Sequence, residues 1–301
     1  MLRTIAALFL LSASVPRPTP APSGFVRVGE PVIYYEIAGP RGPDEIAGPR
    51  GPDGSSGTGA PVVLIHGGQM DRRMWDPQFE SWSKKYRVVR YDVRGYGRSP
   101  TPTVPYSDTE DLLAVLDALA IPKAHLVGLS LGGRIAIDFT LVHPDRVASL
   151  VAVAAGMSGF EFSAGNWPQQ MRAAQEQGGE AAAELWLKDP YMLPAMEHAD
   201  VAPRIRELVL DNAQVWLQNP LLPKRLTPPA AKRLAEIRVP TLVVVGDRDV
   251  PDMQKVADQL AAEVKGARKV VVPGAGHIVS LEKPLEFDRA VLGFVAEQPA
   301  R

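Results

Sequence analysis

The chain has 301 residues, 46% of them hydrophobic, with 33 Lys or Arg against 34 Asp or Glu and a net charge of −1. That supports one large core plus a small insertion, and the balanced charge gives no basic field for nucleic acid. There is no cysteine, so disulfides, thiol nucleophiles and cysteine zinc sites are excluded together; no His-x-x-x-His, EF-hand or Walker pattern occurs, and neither a metal nor a cofactor is expected.

In chain order, Met1-Leu2-Arg3 carries a positive charge, Ile5 to Leu11 is apolar, and Ser12-Ala13-Ser14 offers small residues for cleavage. The pattern resembles a secretory signal peptide and is too short to span a bilayer. A secreted or periplasmic protein is expected, with a cytoplasmic one as the alternative. Pro16 to Ser23 reads as a Pro-rich linker, so residues 1–23 stand apart from the fold. Phe25 to Val28 and Val32 to Ile37 read as an antiparallel strand pair. Glu36 to Asp44 is then repeated residue for residue as Glu45 to Asp53, and flexible Gly54 to Gly59 follows. Two copies of a nonapeptide are too few for a solenoid. A duplication in a surface loop fits, because loop length costs little.

From Val62 onward, strand and helix patterns alternate. Val62 to Ile65, Arg87 to Tyr91, His125 to Leu129, Leu150 to Ala154, Thr241 to Val245 and Lys269 to Val272 read as strands. Trp75 to Lys84, Asp108 to Leu119, Leu131 to Val142, Asp252 to Val264 and Pro284 to Glu297 read as helices. This alternation predicts an α/β fold with a mostly parallel, doubly wound sheet. Between Gly156 and Ile237 the alternation stops, and a helical segment punctuated by prolines follows the sixth strand. The expected division is a core of residues 24–155 and 238–301 with an inserted segment of residues 156–237.

Gly128-Leu129-Ser130-Leu131-Gly132 joins an apolar strand to a helix. A serine in a G-x-S-x-G turn is a nucleophile elbow, with glycines where the turn is too tight for a side chain. Its hydroxyl needs a base, and the base an orienting acid. In this architecture the order is Ser, then Asp or Glu, then His. Three histidines follow Ser130. His143 ends the helix after the elbow, and His198 sits in a polar segment that reads as solvated. His277 lies just past a strand, at the edge where binding groups collect in open sheets, and is the candidate base. The acid belongs after the preceding strand, in Gly246-Asp247-Arg248-Asp249-Val250-Pro251. Asp249 is favoured, being farther from the strand; Asp247 otherwise caps its own turn, and Asp252 otherwise caps the next helix.

These stretches, with His66-Gly67-Gly68-Gln69 and Asp92 to Ser99, run in the order found in α/β-hydrolase-fold serine hydrolases. The chain resembles the bacterial esterase and enol-lactonase type over about residues 25–296. The resemblance implies an oxyanion hole from the backbone N–H groups of Gly68 and Leu131, with Gln69 as alternative to Gly68. Leu131 opens a helix, so its N–H has no intrahelical partner. It implies that His66 and the Asp92 to Ser99 turn are structural, and that residues 156–237 form a helical cap over the site. Met157, Trp167, Trp186 and Trp216 are its candidate substrate-binding residues, and Met171, Met192 and Met196 share the segment; such side chains suit an apolar pocket. The implied partner is a small-molecule ester or lactone, with no nucleic acid and no membrane span. Ser130 argues against the relatives that use aspartate at the elbow, and the missing cysteine against dienelactone hydrolases. Carbon–carbon hydrolases of ring-cleavage products share the serine and a similar cap and stand as the alternative enzyme, although many have tryptophan after the histidine, where Ile278 stands; proline iminopeptidases usually have one inside the elbow, where Leu129 and Leu131 stand. A non-catalytic small-molecule binder on the same fold is the alternative outside enzymology.

Deleting Glu45 to Asp53 is expected to leave the melting temperature and turnover unchanged. A large loss in either, by calorimetry or hydrolysis assay, would give the duplication a role.

Overall fold

The computed structural model describes residues 21–28, 32–40 and 61–298. The signal-peptide-like stretch and most of the duplicated segment lie outside these residues. The sheet has eight strands in the order β1-β2-β4-β3-β5-β6-β7-β8: β1 Ser23–Arg27, β2 Val32–Ala38, β3 Val62–Ile65, β4 Val88–Tyr91, β5 Ala124–Leu129, β6 Val147–Val153, β7 Thr241–Gly246 and β8 Arg268–Val272. β1 pairs antiparallel with β2, and β2 with β4; every other pairing is parallel. The central strands β3, β4, β5 and β7 are buried at every position. Their apolar runs need no alternation because helices cover both faces.

The core helices are α1 Asp76–Trp82, α2 Asp108–Ala118 and α3 Leu131–Val142; α4 Trp167–Gln177, α5 Gly179–Trp186, α6 Leu193–Met196 and α7 Ala202–Asp211 lie between β6 and β7; α8 Pro251–Glu263, α9 Val279–Glu282 and α10 Pro284–Ala296 close the chain. The helix expected from Trp75 to Lys84 is shorter. Asp71 caps a 3-10 turn over Arg72–Trp75 by accepting from the Arg73 N–H, and Pro77 opens α1 one residue later than expected. Pro in a first helical turn gives up no hydrogen bond. β6 begins three residues before the expected Leu150, because the turn Pro144–Arg146 delivers Val147 to Ala124, with a register shift there in β5.

Strand order decides where a site can form. β3 lies between β4 and β5, so the chain winds outward from β3 in both directions. Loops leaving the carboxyl ends of β3 and β5 therefore open a crevice at this switch point. The parallel register sets Ile65 beside Gly128, which brings His66-Gly67-Gly68 level with Ser130.

The helical insert is fastened to the core near both of its ends. The Asp252 carboxylate accepts from the N–H groups of Ser163 (2.6 Å) and Ala164 (2.7 Å) and from the Ser163 hydroxyl. Asp252 was expected to cap its own helix; α8 begins one residue earlier, at Pro251, so Asp252 lies inside the first turn and its carboxylate serves the insert instead. The Ser158 hydroxyl donates to Asp138 Oδ1 (2.6 Å) and accepts from the Ala230 N–H (2.9 Å). The Tyr106 N–H donates to the Leu222 carbonyl (3.1 Å), and the Lys224 N–H to the Tyr106 carbonyl (2.7 Å).

Candidate active site

Ser130 sits at φ 54°, ψ −110° between β5 and α3, a left-handed conformation that a non-glycine residue keeps only when its surroundings dictate it. The Ser130 N–H donates to the Val153 carbonyl (3.0 Å), and its own carbonyl accepts from Arg134 (3.0 Å) and Gly156 (2.9 Å). The glycines are demanded by backbone contact. A Cβ on Gly128 would strike the Gly132 carbonyl, and one on Gly132 the Ile65 carbonyl. A Cβ on Gly133 would stand 2.6 Å from that of Ala155. The helix therefore lies directly against β3 and β6.

His66 is pinned at both nitrogens. The Val93 N–H donates to Nε2 (2.9 Å), so Nδ1 carries the proton and donates to the Gly67 carbonyl (2.8 Å). Burial pushes its pKa below the ordinary histidine value, against the pull of Asp92. His66 thus ties the loop after β3 to the loop after β4. In that second loop Asp92 accepts from the N–H groups of Arg72 (3.0 Å) and Arg98 (2.8 Å), and Ser99 donates to the Asp92 carbonyl (2.7 Å). Gly68 faces open space: a Cβ there would meet nothing nearer than Leu131 Cβ and the Tyr96 hydroxyl, each at 3.9 Å. Gln69 follows in a left-handed conformation (φ 59°).

The loops after β7 and β8 meet beside this edge. His277 Nδ1 and Asp249 Oδ2 are 2.9 Å apart, with 3% and 8% of the two residues exposed. An ionised carboxylate only accepts, so the bond places the imidazole proton on Nδ1 and leaves Nε2 as the free acceptor. Asp249 Oδ1 accepts from the Val250 N–H (2.8 Å). Asp247, expected to cap its own turn, instead accepts from the Gly274 N–H (2.7 Å) across the gap. The two loops are close enough for that: the Arg248 N–H donates to the Ala275 carbonyl (2.9 Å), and a Cβ on Gly246 would overlap it.

A residue invisible to sequence reasoning completes this corner. Glu282, at the end of α9, accepts from the N–H groups of Gly276 (2.7 Å) and Ile278 (2.8 Å), one on each side of His277. Burial pushes its pKa above the ordinary carboxylate value, against the pull of these two donors. His198 was expected to be solvated; its Nε2 is instead buried 3.8 Å from Glu282 Oε2. The cause is the insert, whose Pro194 packs so tightly on the histidine loop that a Cβ on Gly276 would lie 2.5 Å from the proline's.

A cavity of about 410 Å³ opens between the sheet edge and the insert. Ser130, His277, Gly68 and Leu131 all line it, with Gln69, Tyr96, Ile278 and Met253 from the core. The insert contributes Phe162, Trp167, Trp186, Tyr191, Met192 and Arg225. Among the described residues, no acidic side chain stands in this wall. Of the four candidates from this segment, Trp167 and Trp186 line the cavity. Met157 and Trp216 stand behind it: Met157 is 2% exposed within the core, and Trp216, 4% exposed, backs Trp167 and Trp186 at ring distances of 5.6 and 6.2 Å. Tyr191 was not expected; its ring meets His277 edge-on at 5.0 Å and stacks on Trp186 at 5.7 Å. Among the described residues, no group of three or more His, Asp or Glu side chains is arranged to hold a metal ion.

Residues 62–290 match the model of the alpha/beta hydrolase family. The chain belongs to that family. It is similar to the carboxylesterase YbfK of Bacillus subtilis, 29% identical over 78% of this chain and 79% of the relative. With 3-oxoadipate enol-lactonase 1 of Acinetobacter baylyi it shares 26% identity over 78% and 89% of the two chains. The crystal structure of the enol-lactonase from Burkholderia xenovorans superposes with a TM-score of 0.72 at 27% identity, covering 91% of this chain and all of that one.

Glu282→Gln replaces one of the two accepting oxygens by an NH2 donor, so one of the N–H groups beside His277 loses its acceptor. A buried unmet donor costs about 2 kcal/mol, so the melting temperature is expected to fall by roughly 4–8 °C. An unchanged melting curve by calorimetry would show that the carboxylate does not hold the histidine loop.

Proposed function

We propose that this hydrolase cleaves carboxylic esters or lactones through an acyl-serine intermediate. The observation that carries the reading is that Ser130 and His277, the latter hydrogen-bonded to Asp249, line one cavity. Nε2 of His277 takes the Ser130 proton as Oγ attacks the carbonyl carbon. Asp249 holds the ring in its Nδ1–H tautomer and offsets the positive charge that develops. The N–H groups of Gly68 and Leu131 receive the oxyanion, an arrangement in which each donor is worth about 3–4 kcal/mol. His277 then returns the proton to the leaving alkoxide, and the alcohol departs. Water, activated by the same Nε2, attacks the acyl-serine; the acid leaves and Ser130 regains its proton.

Carboxylesterase and enol-lactonase relatives over most of the chain support this chemistry, since a lactone is an internal ester. We further propose that the insert acts as a cap that sets substrate choice, because five of the eight Phe, Tyr, Trp and Met side chains in the cavity wall come from it. Trp167 and Trp186 then form an apolar acyl wall.

Hydrolysis of p-nitrophenyl esters from acetate to palmitate tests both parts. Ser130→Ala is expected to lower kcat by about 10⁴-fold or more without changing the fold. Wild-type rates from that variant would exclude the acyl-serine scheme; no turnover of any ester by the folded wild type would leave a carbon–carbon hydrolase or a binding protein. Trp167→Ala and Trp186→Ala are expected to shift the optimum toward longer acyl chains. An optimum unmoved in both would show that the insert does not size the pocket.

A further inference from the structure

The cavity has one feature that an apolar acyl pocket does not require. Arg225 lines it, and among the described residues no carboxylate pairs with its guanidinium. The buried arginines of the core differ. Arg72 bonds to Glu36 and Asp92, Arg90 to Glu36 and Asp76, Arg94 to Asp111, and Arg134 to Asp108. Arginine is always charged, and its planar fork matches a carboxylate in two parallel hydrogen bonds. In a wall without Asp or Glu, that charge is unopposed.

The arginine is also held in place at its backbone. The preceding residue, Lys224, donates its N–H to the Tyr106 carbonyl (2.7 Å), and the Tyr106 N–H donates to the Leu222 carbonyl (3.1 Å). This short parallel bridge between residues 106 and 223 fastens the strand-like segment to the core beside α2. The following residue, Leu226, packs against the hydrophobic core. Arg225 itself is exposed, and the backbone on either side of it is tied to the core. An anchored backbone leaves only the side chain to be ordered when the cation meets an anion.

We propose that Arg225 is a specificity-determining residue that selects esters or lactones bearing a carboxylate away from the bond being cleaved. The proposal rests on the ester-hydrolysis reading for its chemistry, but the anion contact stands on the cavity alone. In this arrangement the apolar wall of Trp167 and Trp186 receives the carbon chain, and Arg225 receives its charged end.

Two matched pairs of substrates test it. In the first the charge is on the acyl side: mono-p-nitrophenyl glutarate against p-nitrophenyl pentanoate. In the second it is on the leaving group: 4-acetoxybenzoate against phenyl acetate. Arg225→Gln is expected to lower kcat/KM for the anionic member of at least one pair by about 10-fold or more, as expected for loss of a hydrogen bond to a charged group. It should leave the neutral members within about 2-fold. Arg225→Lys should keep part of the preference, as a point charge without the fork. If Arg225→Gln changes neither ratio, the proposal is overturned. If the wild type turns over no ester at all, the catalytic reading fails separately. Glutarate binding, followed by the fluorescence of the tryptophans beside the cavity, then decides the anion contact: a Kd about 10-fold weaker in Arg225→Gln supports it, and equal Kd values overturn it.

Discussion

Everything at the sheet edge depends on one close approach of backbone to backbone. α3 rests on β3 and β6 with no side chain between, because Gly132 faces the Ile65 carbonyl and Gly133 faces Ala155. Only that approach lets β5 turn into a helix within a single residue. The turn forces Ser130 into a left-handed conformation, which costs about 1–3 kcal/mol. The bonds from Ser130 to Val153, Arg134 and Gly156 hold it there. The same approach lays the first N–H of α3 beside the loop after β3. A hydroxyl, a helix N-terminus and a glycine loop are thus brought together by sheet register and missing Cβ atoms, and buried His66 ties the glycine loop to the next one.

The opposite wall is built by another principle. The loops after β7 and β8 carry Asp249 and His277, and polar side chains with buried acceptors fix their shape. Asp247 holds Gly274, and Glu282 holds the residues on both sides of His277. Two carboxylates thus bind backbone so that a third can bind the imidazole. Pro194 and His198 of the insert close against the same corner, so the histidine loop is compressed from above as well as held from below.

The core was largely legible in the sequence. β3 at Val62–Ile65 and α3 at Leu131–Val142 fall where periodicity puts them, because both are buried runs with sharp glycine or polar boundaries. Asp249 was separable from Asp247 by its place in the loop, and His277 by its place after a strand. The misses share a cause. Asp247 and Asp252 each read as serving their own segment, and each serves a distant one instead; His198 read as solvated, and its Nε2 is buried beside Glu282. Hydrogen bonds between residues far apart in the chain leave no periodic trace. Tyr191 and Arg225 were hidden for the same reason: only packing of the insert decides which of its side chains face inward. Trp216 and Met157 carried the right chemistry for a pocket wall and packed one layer behind it.

The insert's attachments bear on how such a molecule changes over time. Ser158 and Ser163 fasten its first residues, and Tyr106 and Ser158 its last. The chain between them is a loop with fixed feet. Between these feet the insert touches the sheet-edge loops again at Pro194, His198, Asn212 and Gln218. Its other residues can drift in sequence and reshape the chamber while those loops keep their register. On the proposed reading of the insert as a cap, selectivity can then diverge at those positions without unmaking the reactive edge.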